Sequence, residues 1–446
     1  MLFFYNVILY LLTPFLVIGL FVRSFRQANY RRRIPERFGL LPTAVGSGYI
    51  WLHSVSMGET LAAAPLVRAL QARYPKQRLL ITTMTPTGSE QVRRSFGSTV
   101  DHVYAPYDLP GCVHRFLERT KPSIAIIMET ELWPNTLKQC HKTATPTVLI
   151  NARLSASSAK GYARVSSITR NMMQQLDAVA VQSEADGERF VQLGLAPNKL
   201  TVTGSIKFDY AIDPQARQQL AQIHAQIHAP AHGSADDVRP ADLFVWIAAS
   251  THQGEDEIML DAQNALLRAG LNTLLILVPR HPERFDDVYR LCQQSGLTVA
   301  RRSADTQLPQ GTQVLLGDTM GELATLFGAC KLAFIGGSLI ERGGHNPIEP
   351  AAWGVPVLAG PHMFNFLDIG RQLKTGGGMM TVHNANDIAA HVQASINDPI
   401  KYDAAGASNR TVVATNRGAV ARQLAVISTL ADAVFTDRSV KNVTID

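Results

Sequence analysis

The sequence predicts an α/β protein with two doubly wound domains, preceded by an apolar helix. Short apolar runs alternate with helical stretches, which is the pattern of a parallel sheet with crossover helices. The alternation occurs twice, on either side of a segment rich in Ala, Gln and His. A chain of 446 residues, 46% of them hydrophobic, is long enough for two such domains with separate cores.

The first element is the apolar run Leu2 to Val22, which contains no charged residue. At 1.5 Å per residue, a helix of this length can cross about 30 Å of hydrocarbon. A cleaved signal peptide fits less well, because no basic residues precede the run, Pro14 interrupts it and no small-residue cleavage site follows. The run therefore predicts a membrane anchor over residues 1–22, which either spans the bilayer or lies within one leaflet.

A group of arginines directly follows the apolar run: Arg23, Arg26, Arg31, Arg32, Arg33 and Arg37. Basic residues beside a membrane helix stay on the cytoplasmic side and attract anionic lipid headgroups. The formal net charge of +6 likewise indicates an anionic partner. Because the arginines cluster beside the apolar run and no nucleic-acid-binding motif occurs, we expect a membrane and not a nucleic acid as the partner.

The first domain is predicted over residues 23–212. In such folds, functional residues gather at the carboxyl ends of the strands. The segment His53 to Glu59 follows the first predicted strand and Glu129 to Asn135 follows the fourth, so we expect both segments to open onto one crevice. The predicted strands are Ile50–Leu52, Leu79–Thr82, a strand around Val103, Ile124–Met128, Val148–Ile150, Val179–Val181 and Leu200–Val202.

Three glutamates in these segments are candidate catalytic acids or bases. Glu59 precedes a helix predicted over Thr60–Arg73, where an acid can either stabilise the helix start or accept a proton from a substrate hydroxyl. Glu129 and Glu131 would lie on the same side of the chain if it stayed extended, and like charges so close raise at least one pKa. The alternative for this second pair is two solvated loop acids.

Residues 213–242 contain proline and glycine between the two alternating patterns and are expected to form a linker. Three histidines in it are spaced like metal ligands on one helix face: His224, His228 and His232. Pro230 and Gly233 would break that helix, and no further ligand completes a metal site. Solvated linker residues are therefore the favoured interpretation.

The second domain is predicted over residues 243–415. Its most informative stretch is GGSLIERGGHNPIEP, which begins at Gly336 and reads as a glycine loop followed by a helix start. We expect free backbone N–H groups and the helix start at Asn346-Pro347 to bind a phosphate, while Glu349 could accept two sugar hydroxyls. The stretch therefore predicts a nucleotide-sugar pocket, with an ordinary capped turn as the alternative. The predicted strands are Leu243–Ala248, Thr273–Val278, Val314–Leu316, Leu332–Ile335, Val355–Leu358 and Met379–Val382.

Four motifs give the chain a resemblance to a known family. They are HSVSMGE at 53–59, METELWPN at 128–135, LGDTMGEL at 316–323 and the glycine stretch that begins at Gly336. Together they resemble the Kdo transferases of lipopolysaccharide assembly, and the similarity extends to about residue 430. The resemblance implies the GT-B glycosyltransferase fold, in which two Rossmann-like domains face each other across a cleft. In that architecture the last helical segment, within residues 416–446, packs back on the N-terminal domain.

The resemblance also implies an activity: inverting transfer of 3-deoxy-D-manno-octulosonic acid (Kdo) from CMP-Kdo to a lipid A precursor, tetra-acylated lipid IVA. The family's general base matches Glu59, and its second essential acid lies in the ETE motif, where we favour Glu129 over Glu131. Lys207 in GSIKFD could neutralise the leaving phosphate or the Kdo carboxylate. The expected location is the inner membrane, with the catalytic domains on the cytoplasmic side.

By the same resemblance, CMP would be bound by three patches of the second domain: Pro279 and Arg280; Met320, Gly321 and Glu322; and Asn346, Pro347, Ile348 and Glu349. No metal or other cofactor is expected, because Asp318 has no second carboxylate at DxD spacing and Arg280 with helix starts could hold the leaving phosphate. The scattered cysteines predict neither a zinc site nor a disulfide framework, which fits a reducing cytosol. They are Cys112, Cys140, Cys292 and Cys330.

Two other functions use the same fold class. A nucleotide-sugar epimerase acts on soluble substrates and needs no anchor, so the run Leu2 to Val22 argues against it. A membrane-anchored nucleotide sensor without enzymatic activity would not need acids such as Glu59 and Glu129. The sequence leaves open how many Kdo residues are added and whether the protein forms oligomers.

Overall fold

The computed structural model describes residues 1–25, 27–228, 243–304 and 308–443. The chain divides into two compact units: the first is Met1–Asp209 with Gly418–Asp446, and the second is Tyr210–Arg417. Each unit contains one seven-stranded sheet in which every pair of neighbouring strands is parallel. The predicted α/β class with two Rossmann-like units and an apolar helix before them is confirmed.

The sheet of the first unit has the order β3-β2-β1-β4-β5-β6-β7. Its strands are β1 Ile50–His53, β2 Leu79–Thr83, β3 Asp101–Tyr104, β4 Ile124–Met128, β5 Thr147–Ala152, β6 Ala178–Val181 and β7 Leu200–Val202. The helices are α1 Leu2–Ser24, α2 Met57–Arg73, α3 Pro86–Phe96, α4 Pro110–Thr120, α5 Pro134–Lys142, α6 Ala156–Arg164, α7 Ser166–Gln175 and α8 Glu184–Gln192, with short 3₁₀ turns at Ala28–Arg31, Ile34–Phe38, Pro197–Lys199 and Ile206–Asp209.

The sheet of the second unit has the order β10-β11-β9-β8-β12-β13-β14. Its strands are β8 Phe244–Thr251, β9 Thr273–Pro279, β10 Val299–Arg301, β11 Val314–Leu316, β12 Leu332–Ile335, β13 Val357–Ala359 and β14 Met379–Thr381. The helices are α9 Pro214–His228, α10 Glu255–Arg268, α11 Phe285–Gln294, α12 Leu323–Gly328, α13 Ile348–Trp353, α14 Leu367–Thr375, α15 Ala385–Asn397 and α16 Pro399–Asn416, with 3₁₀ turns at Pro282–Arg284 and Phe364–Phe366. The last helix, α17 Ala419–Val443, belongs to the first unit.

The order of the strands decides where each unit can place a site. In the first unit the chain runs outward from β1 on one side and from β4 on the other, so β1 and β4 are neighbours at the point where the order reverses. In the second unit β8 and β12 hold the same relation. Crevices at the carboxyl ends of such strand pairs are the usual ligand sites of open α/β sheets.

Helix α9 occupies the first half of the segment that was predicted to be a linker. It packs against α12, with Ile223 and Ile227 fully buried. His224 lies on this helix, whereas His232 and the predicted helix breakers Pro230 and Gly233 lie outside the described residues.

Helix α17 packs on the core of the first unit. Ile427 and Ala431 are fully buried there among side chains of β1, β4 and α2. The carboxylate of Asp209 accepts hydrogen bonds from the backbone N–H groups of Gly418 and Val420, both at 2.5 Å, and so fixes the start of the helix.

Two helical segments of the described chain are long and apolar enough to cross a membrane, Leu2–Ser24 and Pro399–Thr436. The second contributes Ile427 and Ala431 to a protein core. The expectation that the arginines after α1 all face headgroups is wrong for Arg37, which is 1% exposed and lies over the Tyr104 ring at 4.2 Å. Arg23, Arg31 and Arg32 are exposed, and Arg26 lies outside the described residues.

Candidate functional site

Glu59 lies in the first turn of α2, directly after β1. Its backbone N–H donates to Ser56 Oγ at 3.3 Å, and the Ser56 hydroxyl donates back to Glu59 Oε1 at 2.9 Å. The Val55 N–H donates to Glu59 Oε2 at 2.9 Å. This reciprocal cap starts the helix at Met57, three residues before the predicted Thr60.

The environment of Glu59 favours its protonated form. Burial raises the pKa of Glu59 to about 7, and the charges of Glu129 and Glu131 add to the increase. The hydrogen bonds from Val55 and Ser56 lower this pKa but do not outweigh the burial. A carboxyl group with a pKa near the working pH is suited to proton transfer. Glu59 caps α2 and also has a pKa close to neutral pH, so the two roles that the sequence left as alternatives are compatible with each other.

The segment after β4 does not stay extended, so the expectation that Glu129 and Glu131 share one side is wrong. Glu129 has a φ of +53°, in the left-handed region that few residues other than glycine adopt. The turn separates the partners of the two acids: Arg153 Nε lies 3.2 Å from Glu129 Oε2, while the Trp133 indole donates to Glu131 Oε2 at 3.0 Å. Burial raises the pKa of Glu131, and the charge of Glu129 adds to this.

Lys207 interacts electrostatically with Glu129 and Glu59, although it follows the last strand of the sheet in sequence. It lies in the 3₁₀ turn after β7, and the Ile206 N–H in this turn donates to Asn151 Oδ1 at 3.2 Å, which ties the turn to the end of β5. Burial lowers the pKa of Lys207 and Arg153 lowers it further, whereas the charges of Glu129 and Glu59 raise it.

The first unit thus gathers Glu59, Glu129, Glu131, Arg153 and Lys207 in one charged cluster, which we call the acid cluster. The sequence analysis missed Arg153. The sign available in the sequence was its position three residues after the predicted strand Val148–Ile150, at the same edge of the sheet.

In the second unit the glycine loop differs from expectation, because its N–H groups are already bonded within the protein. Gly336 N–H donates to Ala249 O at 2.8 Å, and Gly337 N–H donates to Glu255 Oε2 at 2.7 Å. A Cβ on Gly336 would lie 2.2 Å from the Ser250 carbonyl oxygen. This glycine therefore permits close contact with the end of β8, and the prediction of free N–H groups at Gly336 and Gly337 is wrong.

Glu255, the first residue of α10, holds the loop together. Its carboxylate is fully buried and accepts hydrogen bonds from four backbone N–H groups, at 2.7 to 3.1 Å. The donors are His252, Gly337, Ser338 and Leu339. The side chain of Glu255 therefore occupies the part of the loop that the sequence analysis assigned to a phosphate. Burial raises the pKa of Glu255, against the effect of the four backbone hydrogen bonds.

A helix does begin after the loop, as predicted, but it is short. Helix α13 has six residues and begins at Ile348, whose N–H donates to Asn346 Oδ1 at 3.1 Å. The Asn346 amide also donates to Glu349 Oε1 at 3.1 Å, while burial raises the pKa of Glu349. A helix of six residues has few aligned peptide dipoles, so it supports phosphate binding less than the sequence suggested.

Two histidines that the sequence analysis did not select lie beside Arg280. The Nε2 atoms of His252 and His345 are 2.9 Å apart and their rings are stacked, while the ring of His281 lies 5.4 Å from that of His252. Burial lowers the pKa of both His252 and His345 to about 4, and the charge of Arg280 adds to this. Both rings are therefore neutral at pH 7, and the arginines supply the positive charge.

The loop after β11 contains the third predicted CMP-binding patch, Met320 to Glu322. Met320 is 71% exposed, Gly321 has a φ of +87°, and Glu322 accepts from Arg302 at 2.9 Å. Strands β11, β9, β8 and β12 are consecutive in the sheet. The patch with Glu322 follows β11, the patch with Pro279 lies at the end of β9, His252 follows β8, and the patch with Asn346 follows β12.

Asp318 in the same loop is held within the protein. It accepts from Arg301 at 2.7 Å and from the Ser303 hydroxyl at 2.6 Å. Burial alone would raise the pKa of Asp318, but these hydrogen bonds outweigh it and lower the pKa. Among the described residues, no group of three or more His, Cys, Asp or Glu side chains is arranged to hold a metal ion.

Two Rossmann-like units, each with a seven-stranded parallel sheet, give the chain the fold class of the GT-B glycosyltransferases. A glycosyltransferase from Rickettsia africae has this fold, with a TM-score of 0.52 and 12% identity over 86% of this chain and 98% of that chain. The crystallised C-terminal CMP-Kdo binding domain of WaaA from Acinetobacter baumannii is 33% identical and covers 44% of this chain and 97% of that chain, with a TM-score of 0.40.

Sequence comparison identifies the family. The model of the 3-deoxy-D-manno-octulosonic-acid transferase (kdotransferase) family matches residues 32–210. The 3-deoxy-D-manno-octulosonic acid transferase of Haemophilus influenzae is 40% identical over 428 residues, which cover 95% of this chain and 97% of that protein. The chain belongs to the Kdo transferase family, and the resemblance inferred from the four motifs is confirmed.

The role of Glu255 can be tested by replacing it with glutamine. An amide has one acceptor oxygen instead of two, so the variant leaves loop N–H groups unpaired, at a cost of about 1 to 3 kcal/mol for each. We expect Glu255→Gln to speed hydrogen exchange at Gly337, Ser338 and Leu339 and to lower the denaturation midpoint. Asp261→Asn, an exposed change on the same helix, should do neither. Unchanged exchange at the loop in Glu255→Gln would contradict the role assigned to this carboxylate.

Proposed function

We propose that the protein transfers Kdo from CMP-Kdo to a hydroxyl group of a lipid A precursor, tetra-acylated lipid IVA, with inversion at the anomeric carbon. The observation that carries the proposal is the half-buried Glu59, with a pKa of about 7, in one cluster with Glu129 and Lys207 at the carboxyl edge of the sheet. Membership of the Kdo transferase family supports the transferred sugar.

In this mechanism the acceptor oxygen attacks the anomeric carbon of Kdo as the bond to the CMP phosphate breaks. The bonding electron pair leaves with the phosphate, and the acceptor proton moves to the carboxylate of Glu59. Glu129 is the second acid, which in our proposal orients the acceptor and, through Arg153 and Lys207, balances the charge of the cluster. Lys207 neutralises the Kdo carboxylate or the leaving phosphate.

We assign donor binding to the second unit. Arg280, beside the neutral histidines, offers a fixed positive charge for the phosphate. Asn346 and Glu349 provide an amide and a carboxyl group for the nucleoside, with Pro279, Met320, Gly321, Glu322, Pro347 and Ile348 around them. In this proposal no metal ion takes part. The protein acts at the cytoplasmic side of the inner membrane, to which α1 attaches it.

The role of Glu59 can be separated from its capping role by Glu59→Gln. The amide can still accept from Val55 and pair with Ser56, so the helix start should remain, but the amide cannot take a proton. We expect turnover in single-turnover assays to fall by about two or more powers of ten, while affinity for CMP is unchanged. A variant that keeps most of its rate would remove Glu59 from the mechanism and leave Glu129 or Glu131 as the base.

The pH dependence of turnover provides a second test of the role of Glu59. Turnover should rise as the pH passes through about 7, because Glu59 must be ionised to act. Glu131→Gln removes a charge that raises this pKa, so the rise should move to lower pH. The free energy of unfolding should change in the opposite sense. The pKa of Glu59 is higher in the folded protein than in the unfolded chain, so its contribution to stability is fully present below the unfolded pKa and is lost as the pH rises through about 7. Glu59→Gln should lose this pH dependence.

Donor binding is tested by Arg280→Ala and Glu349→Ala. Loss of one charged hydrogen bond typically weakens binding by about ten- to a hundredfold, and we expect this loss in a calorimetric titration with CMP. Arg290→Ala, which removes an exposed arginine of α11, is the matched control and should bind CMP normally. Normal CMP affinity in both Arg280→Ala and Glu349→Ala would place the nucleotide elsewhere.

The proposal without a metal ion makes a further prediction. Turnover should survive an excess of EDTA, because Arg280 and Lys207 provide the positive charge that the leaving phosphate requires. Product mass after incubation with CMP-Kdo and tetra-acylated lipid IVA, with and without chelator, measures this. Activity that disappears with EDTA and returns with Mg²⁺ would contradict it.

A further inference from the structure

One face of helix α1 is less exposed than the rest of the helix. A stripe of less exposed side chains repeats every three or four residues, which is the spacing of one helix face. At 1.5 Å per residue the 23-residue helix is about 34 Å long. We call this face the covered stripe; it includes Tyr5, Asn6, Leu9, Thr13, Val17 and Leu20.

Polar bonds fasten the beginning of the helix to the first unit. The Tyr5 hydroxyl donates to Asp108 Oδ2 at 3.0 Å, and the Asn135 amide donates to Asn6 Oδ1 at 2.7 Å. Asp108 also accepts from the backbone N–H of Asn135 at 3.0 Å. These contacts fix the first turns of α1 at the start of α5.

Apolar packing fastens the end of the helix. Leu20 is 6% exposed and packs in one cluster with Tyr107, Leu109 and Cys112. The Arg31 guanidinium donates to Ser24 Oγ at 2.7 Å. Because both ends of the helix are attached, α1 lies along the surface of the first unit instead of extending away from it.

The opposite face of α1 is apolar and open. Phe4, Leu11 and Ile18 lie on one line along this face, seven residues apart, and are 68%, 67% and 57% exposed. The sequence of α1 contains no acidic residue, and two arginines are exposed: Arg23 in its last turn and Arg32 after the following 3₁₀ turn. An apolar face beside arginines is complementary to the headgroup region of an anionic bilayer.

We propose that α1 lies in the plane of one membrane leaflet, with the covered stripe on the first unit and the opposite face in the boundary between headgroups and acyl chains. A spanning orientation would carry the attached segment around Asp108 and Asn135 into the hydrocarbon, where such polar and ionisable groups are strongly unfavourable. The in-plane orientation keeps these groups on the aqueous side. It selects one of the two orientations that the length and composition of α1 allow, and it does not depend on the transferase proposal.

The orientation can be measured with single thiol probes, because the native cysteines are all buried. Phe4→Cys, Leu11→Cys and Ile18→Cys are labelled with bimane and bound to vesicles of phosphatidylethanolamine and phosphatidylglycerol that contain lipids brominated at different depths. We expect all three probes to report the same shallow depth. A depth that is greatest at Leu11 and smaller on both sides would show a spanning helix and overturn the proposal.

A probe on the covered stripe is the matched control. Val17→Cys, next to Ile18 in sequence, should be quenched little, and the combination Tyr5→Phe with Asn6→Ala should increase its quenching. Tyr10→Phe, which changes a side chain that is 55% exposed, should not. Equal quenching at positions 17 and 18 in the unmodified background would show that α1 is not docked. Probes that are already shielded from an aqueous quencher before vesicles are added would show that a second copy covers the face, which would also overturn the proposal.

The charge component is tested by partition between vesicles and solution. Arg23→Gln and Arg32→Gln should each weaken binding to the anionic vesicles by about fivefold, because one basic residue at such a surface contributes about this factor. On phosphatidylcholine vesicles the two variants should bind as the unmodified protein does. Wild-type protein that binds both vesicle types equally would overturn the charge component.

Discussion

The constraint on which the rest of the structure depends is that a parallel sheet is buried on both faces. Strand β4 is fully buried and apolar, and strand β1 is fully buried with His53 as its last residue, so the sheet interior has little room for polar side chains. The charged side chains of the candidate site lie in the segments that follow the strands, and the reversal of strand order makes two of these segments neighbours. In the first unit they supply Glu59 and Glu129, and in the second His252 and the glycine loop.

The same burial acts on both kinds of titratable group and has opposite consequences for them. Because an apolar environment disfavours any charged form, it moves the pKa of Glu59 up to about 7 and that of His345 down to about 4. The carboxyl group of Glu59 can therefore exchange a proton near neutral pH. The histidine loses its charge, so fixed positive charge in the second unit depends on arginines, whose pKa lies too high to be neutralised in this way.

The sequence was sufficient for most of the fold, because long apolar runs identify buried parallel strands and the motifs mark the loops that follow them. Strand β10 was missed because it ends in an arginine and so lacks the continuous apolar run by which other three-residue strands, such as β11, were found. The turn at Glu129 and the bonds of Gly336 and Gly337 were not predictable, since they depend on partners far away in the chain, Ile150, Ala249 and Glu255. The histidine pair likewise brings together residues 93 positions apart.

Glu255 has a consequence for how the second unit behaves when its site is empty. A loop whose N–H groups waited for a substrate phosphate would lose its hydrogen bonds each time the product left. Here a carboxylate of the protein itself satisfies them permanently, so the loop is expected to keep its conformation through the cycle. The ordering entropy of the loop is then lost once, during folding, and does not have to be recovered from each new substrate molecule.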